Sequence, residues 1–249
     1  MSQNLSFVIT GAGGDLGRSL SEYLIAEAEV RLLLTTHGRH DFENLQETNR
    51  VRYCPNLDLT DEQDLATLAT EVDQTFSTQF HVINCAGYFP GYKPLVEIKV
   101  PEARRVFESN LLTVYGVASA LLPLMQARKG GHFIAFSSHT DYQSYPLMAA
   151  FTSAKVGLES LTRSIAHEYS KDNVIANTLA VATLATELEK RLKPLGDHEN
   201  WLQPSQVCRL VRELIKSPFS IMNGNTIHLY NHSESFFHQS YFDRISSEE

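Results

Sequence analysis

A chain of 249 residues with 43% hydrophobic and 20% charged side chains has ordinary globular composition, which excludes a fibrous or disordered protein. Asp plus Glu number 29 and Lys plus Arg 21, so the net charge of −8 offers no general attraction to nucleic acid or to an acidic membrane surface. The three cysteines, Cys54, Cys85 and Cys208, are odd in number and widely spaced, which argues against a disulfide framework and fits a reducing cytoplasm.

Met1 to Ser6 is polar and runs straight into an apolar segment, without the basic-then-apolar order of an export signal. Phe7 to Ile9 reads as a buried strand ending in glycines, and Leu16 to Ala28 as a helix with apolar residues at helical spacing. Strand-like runs come next at Arg31–Thr36, Val51–Tyr53, His81–Ile83, His132–Phe136, Val174–Leu179 and Thr226–Tyr230. Between them lie helical patterns at Asp61–Ser77, Pro101–Ala127, Phe151–Tyr169 and Ser205–Lys216. The uncharged stretch Leu111–Ala127 falls short of the ~20 apolar residues of a bilayer span and predicts a buried helix.

Strand alternating with helix predicts an α/β fold with a parallel sheet and right-handed crossovers. No repeat or linker interrupts the pattern, so residues 1–232 read as one domain, with a polar insertion at Ala182–Gln203. Residues 233–249 form a tail too rich in aromatic residues (Phe236, Phe237, Tyr241, Phe242) for a free end, and it is expected to pack on the domain or on a neighbouring subunit.

Thr10-Gly11-Ala12-Gly13-Gly14-Asp15-Leu16-Gly17 joins the first strand to the first helix. Glycines serve where a backbone turns tightly and approaches a pyrophosphate, and the helix N-terminus supplies free N–H groups. A plain Gly-rich turn is the other reading, but the placement after the first strand of an alternating chain favours a dinucleotide site.

From Leu5 to Tyr230 the chain resembles the short-chain dehydrogenase/reductase family. Thr10, Gly11, Gly14 and Gly17 meet the spacing T-G-x-x-G-x-x-G; most short members carry T-G-x-x-x-G-x-G, which would want glycine at Asp15. Asn56-Leu57-Asp58-Leu59 is similar to the strand-end motif whose aspartate faces adenine, and Asn84-Cys85-Ala86-Gly87 to the N-N-A-G motif bordering the cofactor. Asn110 matches the helix asparagine that holds a water in the proton relay, Ser138 the catalytic serine, and Lys155 the lysine of Y-x-x-x-K. Thr186 stands where a threonine often binds the carboxamide. The resemblance implies a three-layer αβα Rossmann-type fold, a doubly wound parallel sheet of about seven strands. It also implies NAD(P)-dependent hydride transfer between carbonyl and alcohol, and a homodimer or homotetramer.

The family tyrosine should stand four residues before Lys155, and that residue is Phe151. A helix brings the two side chains to one face, but phenylalanine has no proton to give. The usual Pro-Gly before the nicotinamide is also replaced, by Val181-Ala182. Three readings stay open. Another acid acts, from Tyr142, Tyr145, His139, Tyr88, Ser138 or water; or the reaction needs no such acid; or the protein binds cofactor without turnover. The segment after the second strand, Thr35 to His40, lacks an acid and offers Arg39, with Arg18 past the last glycine, which predicts NADP(H) over NAD(H). The ten histidines form no ligand motif, so no metal is expected. A small-molecule substrate is expected, of a class the sequence leaves open; neither nucleic acid nor membrane is expected as a partner.

Overall fold

Seven strands pair in parallel in the order β3-β2-β1-β4-β5-β6-β7. The structure is a computed structural model and describes residues 5–37, 47–140, 144–196, 198–216 and 221–230. In chain order the elements are β1 (Leu5–Thr10), α1 (Asp15–Ile25), β2 (Val30–Thr36), β3 (Val51–Pro55), α2 (Glu62–Thr75) and β4 (His81–Asn84). The second half holds α3 (Val100–Phe107), α4 (Thr113–Ala127), β5 (Gly131–Ser138), α5 (Ala149–Glu168), β6 (Val174–Val181), α6 (Glu187–Leu192), α7 (Pro204–Lys216) and β7 (Thr226–Leu229). The strand order reverses between β1 and β4, and folds of this kind place ligands in the crevice outside the carboxyl ends of the strands at that point.

Both faces of the sheet are covered, and alternation along a strand sends successive residues to opposite layers. Val8 enters the layer built on α2, α4 and α5, with Leu68, Val117, Leu121 and Leu158. Phe7 and Ile9 enter the layer built on α1 and α7, with Leu20, Leu24, Val207 and Val211. The helices form where the sequence puts a buried stripe at helical spacing, such as Leu65, Leu68 and Val72 in α2. Asp61 caps α2 by accepting from the N–H groups of Gln63 and Asp64. The stretch Val100–Ala127 is long and apolar enough by composition to cross a bilayer. Here Val114, Val117, Leu121 and Met125 are buried in the core.

The expected elements are present, with shifted ends. β3 and β6 each run two residues further than their apolar runs, to Pro55 and Val181. α5 begins at Ala149, two residues before Phe151. The insertion at Ala182–Gln203 is ordered by a bridge between Leu184 and Leu202 and by the burial of Trp201. The tail lies outside the described residues.

At the opposite end of the sheet from the crevice, His81 of β4 and His132 of β5 are buried side by side, with ring centroids 5.4 Å apart. The His132 backbone N–H donates to His81 Nδ1 at 3.1 Å. Burial pushes His81 down to about 3, aided by its neighbour His132, and His132 down to about 4, from an ordinary 6.5. Below pH 6.5 the unfolded chain therefore binds protons that the folded chain refuses. Stability present above that pH is lost as pH falls toward 4, at about 1.4 kcal/mol per pH unit per proton. The urea midpoint should fall steadily from pH 6.5 to pH 4, and His132→Phe should reduce the slope; an unchanged slope in the variant would contradict the assignment.

Candidate active site

The turn after β1 is shaped by what cannot fit in it. Gly11 has φ +63°, and a Cβ on it would stand 2.6 Å from the Ala86 nitrogen. A Cβ on Gly17 would overlap the Gly11 carbonyl oxygen. Gly14 is less confined, its added Cβ meeting nothing nearer than 3.5 Å. It stands at the N-cap of α1 and supplies no side-chain cap. Arg18 N–H donates to the Gly14 carbonyl at 2.8 Å as the first helical bond. The N–H groups of Asp15, Leu16 and Gly17 thus have no helical partner, the condition under which a helix start can receive an anion.

Asn84 ties this turn to the centre of the sheet. Its Oδ1 accepts from Thr10 Oγ1 at 2.8 Å and from the Ala86 N–H at 3.0 Å. Further along the same loop, a Cβ at Gly87 would meet Asn110 Oδ1 at 2.9 Å and Lys155 Nζ at 3.6 Å. One chain of close contacts therefore runs from Gly11 through Ala86 and Gly87 to Asn110 and Lys155.

Asn110 is buried in a π turn, Glu108–Leu112, that joins α3 to α4. Its Nδ2 donates to the Tyr88 carbonyl at 2.7 Å and to the Val106 carbonyl at 2.9 Å, and its Oδ1 accepts from the Tyr88 N–H at 3.4 Å. The side chain thus clamps both backbone groups of Tyr88. Single π turns frequently mark functional sites.

Lys155 on α5 is 7% exposed, and Nζ donates to the Phe136 carbonyl at 2.8 Å. Burial pushes its ammonium down to about 8, partly offset by Cys85 and Glu159. Phe151, one turn earlier, places its ring centroid 5.5 Å from Nζ. That ring meets Phe89 edge-on at 5.1 Å. Ser138 ends β5, two residues beyond Phe136, and its Oγ accepts from the Thr140 N–H at 3.5 Å. Neighbouring Ser137 donates to the Glu159 carboxylate, a group whose spacing of four from Lys155 was visible in the sequence.

Other expected residues lie around this centre. Asp58 is exposed in the turn after β3, where its Oδ1 accepts from Thr60 N–H at 2.9 Å and Thr60 Oγ1 at 2.6 Å. Those bonds hold its carboxyl below the ordinary carboxylate value. Leu59 packs in the core, and its carbonyl occupies the space a Cβ on Gly116 would need. Thr186 caps α6, accepting from the Glu189 N–H at 3.3 Å. His139 stacks edge-on with Tyr145 at 5.3 Å, and Tyr88 lies under the Arg105 guanidinium at 4.3 Å. Arg39 and Tyr142 lie outside the described residues. Phe89, Tyr92 and Lys193 belong to the loops, Tyr88–Leu95 and Ala182–Gln203, that the family resemblance implies for the substrate pocket; their individual contacts had no signal beyond the aromatic density of Tyr88-Phe89-Pro90-Gly91-Tyr92.

The profile of the short chain dehydrogenase family matches residues 6–195. The chain belongs to that family. It is 25% identical over 234 residues to an uncharacterized short-chain type dehydrogenase/reductase, y4vI, of Sinorhizobium fredii, spanning 88% of this chain and 42% of that protein. Over 206 residues it is 23% identical to 7alpha-hydroxysteroid dehydrogenase of Escherichia coli, covering 82% of this chain and 80% of that one. The chain thus spans less than half the length of the first of these relatives. Gluconate 5-dehydrogenase from Burkholderia cenocepacia, solved in complex with NADP and tartrate, superimposes with a TM-score of 0.79 at 20% identity, covering 92% of this chain and 94% of that one. That likeness shows a shared fold.

Short-chain dehydrogenases bind NAD(P), and the residues present fit such a group. The α1 N-terminus has no side-chain cap, and a Cβ on Gly14, at that N-terminus, would meet nothing nearer than 3.5 Å. Two buried polar atoms at the ends of β2 and β4, Thr35 Oγ1 and Asn84 Nδ2, have no partner among the described residues. Gly17→Ala should lower stability by about 1–3 kcal/mol through backbone overlap, whereas Gly14→Ala should cost under about 1 kcal/mol, because only a cap residue changes. Urea midpoints would check this, and equal losses would contradict the geometry.

Proposed function

We propose that this short-chain dehydrogenase is an NAD(P)-dependent oxidoreductase acting between a carbonyl and an alcohol, with Phe151 in place of the proton-donating tyrosine and turnover correspondingly weak or altered. The observation that carries the reading is the run of contacts from the uncapped glycine turn to Asn110 and Lys155. A bound nicotinamide dinucleotide would supply or accept the hydride. Gly11, Gly14, Asp15, Leu16 and Gly17 would hold its pyrophosphate, and Asn84, Ala86 and Gly87 would border its nicotinamide half. Asp58 would stand toward the adenine end and Thr186 toward the carboxamide.

The chain's own residues then divide the remaining work. Ser138 Oγ donates a hydrogen bond to the substrate oxygen. Lys155 Nζ holds the positive charge that stabilises oxygen as it becomes negative. Asn110 fixes the backbone at Tyr88 and so the wall beside Lys155. The Phe151 ring excludes water and gives no proton. The proton for the alcohol oxygen therefore comes from Ser138, Lys155, a nearby tyrosine or water. Lys155 is charged below pH 8 and neutral above it, so carbonyl reduction should fall as pH rises through about 8.

A second reading, a non-catalytic NAD(P)-binding pseudoenzyme serving as sensor or scaffold subunit, is favoured by one contact. Phe151 packs on Phe89 at the place where an acid is needed. We further infer NADP(H) in preference to NAD(H), with Arg39 toward the 2′-phosphate, a homodimer or homotetramer, and a cytoplasmic setting.

Restoring the tyrosine separates the two readings. In steady-state assays with NADPH and a panel of carbonyl compounds, Phe151→Tyr should raise kcat by about 10²- to 10⁴-fold. No turnover in either the parent protein or Phe151→Tyr, with cofactor still bound, would overturn the oxidoreductase reading and favour the pseudoenzyme. Arg39→Ala should weaken NADPH binding and leave NADH unchanged; equal effects would contradict the cofactor preference.

A further inference from the structure

The wall beside Lys155 is aromatic and continuous. Phe151 meets Phe89 edge-on at 5.1 Å and 71°, and Phe89 meets Tyr92 at 5.0 Å and 72°. All three rings are half-buried, so each keeps a face or edge for a ligand. The loop that carries Phe89 and Tyr92 is held from both sides. Lys93 N–H donates to the Leu147 carbonyl at 3.0 Å, and Asn110 clamps Tyr88. The wall is therefore a fixed surface.

Among the described residues, three cations of the loops and helices around this wall, Lys93, Arg105 and Lys193, already have contacts. Lys93 Nζ binds Glu102 at 2.5 Å. Arg105 lies over the Tyr88 ring. Lys193 donates to Thr183 Oγ1 at 2.9 Å, pairs with Glu189 at 3.4 Å, and sits 5.8 Å from the Tyr92 ring and 5.7 Å from the Trp201 ring. Lys155, which donates only to the Phe136 carbonyl, is taken in the proposed reaction by the carbonyl oxygen of the substrate; a second, anionic group such as a carboxylate or phosphate would have to compete for one of the other cations, in a chain whose net charge of −8 already repels it. The segments flanking the wall also expose apolar side chains, Leu95, Val96, Leu188 and Leu195.

Resting on the oxidoreductase reading, we propose that the ligand held beside Lys155 is a neutral, ring-bearing apolar ketone or its alcohol, seated against Phe151, Phe89 and Tyr92. Aromatic edges and faces attract such rings, and no buried charge is stranded by them. The same surface rejects phosphorylated sugars, hydroxy acids and thioesters that carry phosphate, since each would bring an unpaired anion.

Trp201 is the chain's single tryptophan, is buried, and touches Lys193 and the His198 ring, so its fluorescence reports on this region. The test measures dissociation constants by Trp201 fluorescence and calorimetry, with saturating NADP+, which cannot reduce a ketone, for 2-decalone, a ring-carboxylated decalone and fructose. The neutral ketone should bind at least about tenfold more tightly than either of the others. Phe89→Ala should weaken it by about tenfold or more, and Phe89→Leu by less, with NADP+ binding retained in both. Equal or tighter binding of the carboxylated compound, or unchanged affinity in Phe89→Ala, would overturn the proposal. Because affinity is read without turnover, absent catalysis with decalone bound counts against the oxidoreductase reading alone.

Discussion

Two turns at the carboxyl edge of the sheet touch where no side chain fits between them. A Cβ on Gly11 would lie 2.6 Å from the Ala86 nitrogen. The left-handed backbone at Gly11 and the hydrogen bonds of Asn84 hold that approach in place. Because β1 and β4 are the strands at which the order reverses, the contact sits at the mouth of the crevice. The path of the backbone beyond Ala86 depends on this contact. Gly87 can lie against Asn110 and Lys155 only because it too lacks a side chain. The glycine turn and the Asn110–Lys155 cluster are thus two ends of one close-packed piece of backbone.

Lys155 is the expensive element of this arrangement. Burying an ammonium is unfavourable unless it is compensated. Here the Phe136 carbonyl accepts one hydrogen bond, and Glu159, one helical turn away, offsets part of the cost. The result is a lysine pulled to about 8, near enough to neutrality to hold or release a proton under ordinary conditions. The Phe151 ring covers its approach side and continues into Phe89 and Tyr92, so polarity falls away sharply from the ammonium toward the ligand wall.

Much of the fold was legible because short apolar runs and helical stripes are local signals. The sheet layers arise from alternation within each strand, as Val8 and its neighbours Phe7 and Ile9 illustrate. The glycine turn was legible too, although its spacing alone could not rank Gly11 and Gly17 above Gly14. That ranking depends on Ala86, in a turn far along the chain from Gly11, and on the carbonyl of Gly11 itself. The π turn at Asn110 was hidden because it answers to the backbone of Tyr88, not to its own helix. The pairing of His81 with His132 depends on the register of β4 against β5. The insertion at Ala182–Gln203 looked polar, and its order comes from one buried tryptophan and a bridge. The contacts of Lys193 were hidden, since its partners Tyr92 and Thr183 come from separate loops.

If the turn Gly11–Gly17 holds a nicotinamide dinucleotide that reaches Lys155, the purified protein must bind one. Calorimetric titration with NADPH and with NADH tests this most directly. Saturable binding at one site per chain is expected, tighter for NADPH, and lost in Gly17→Ala. No binding of either dinucleotide at millimolar concentration would contradict it.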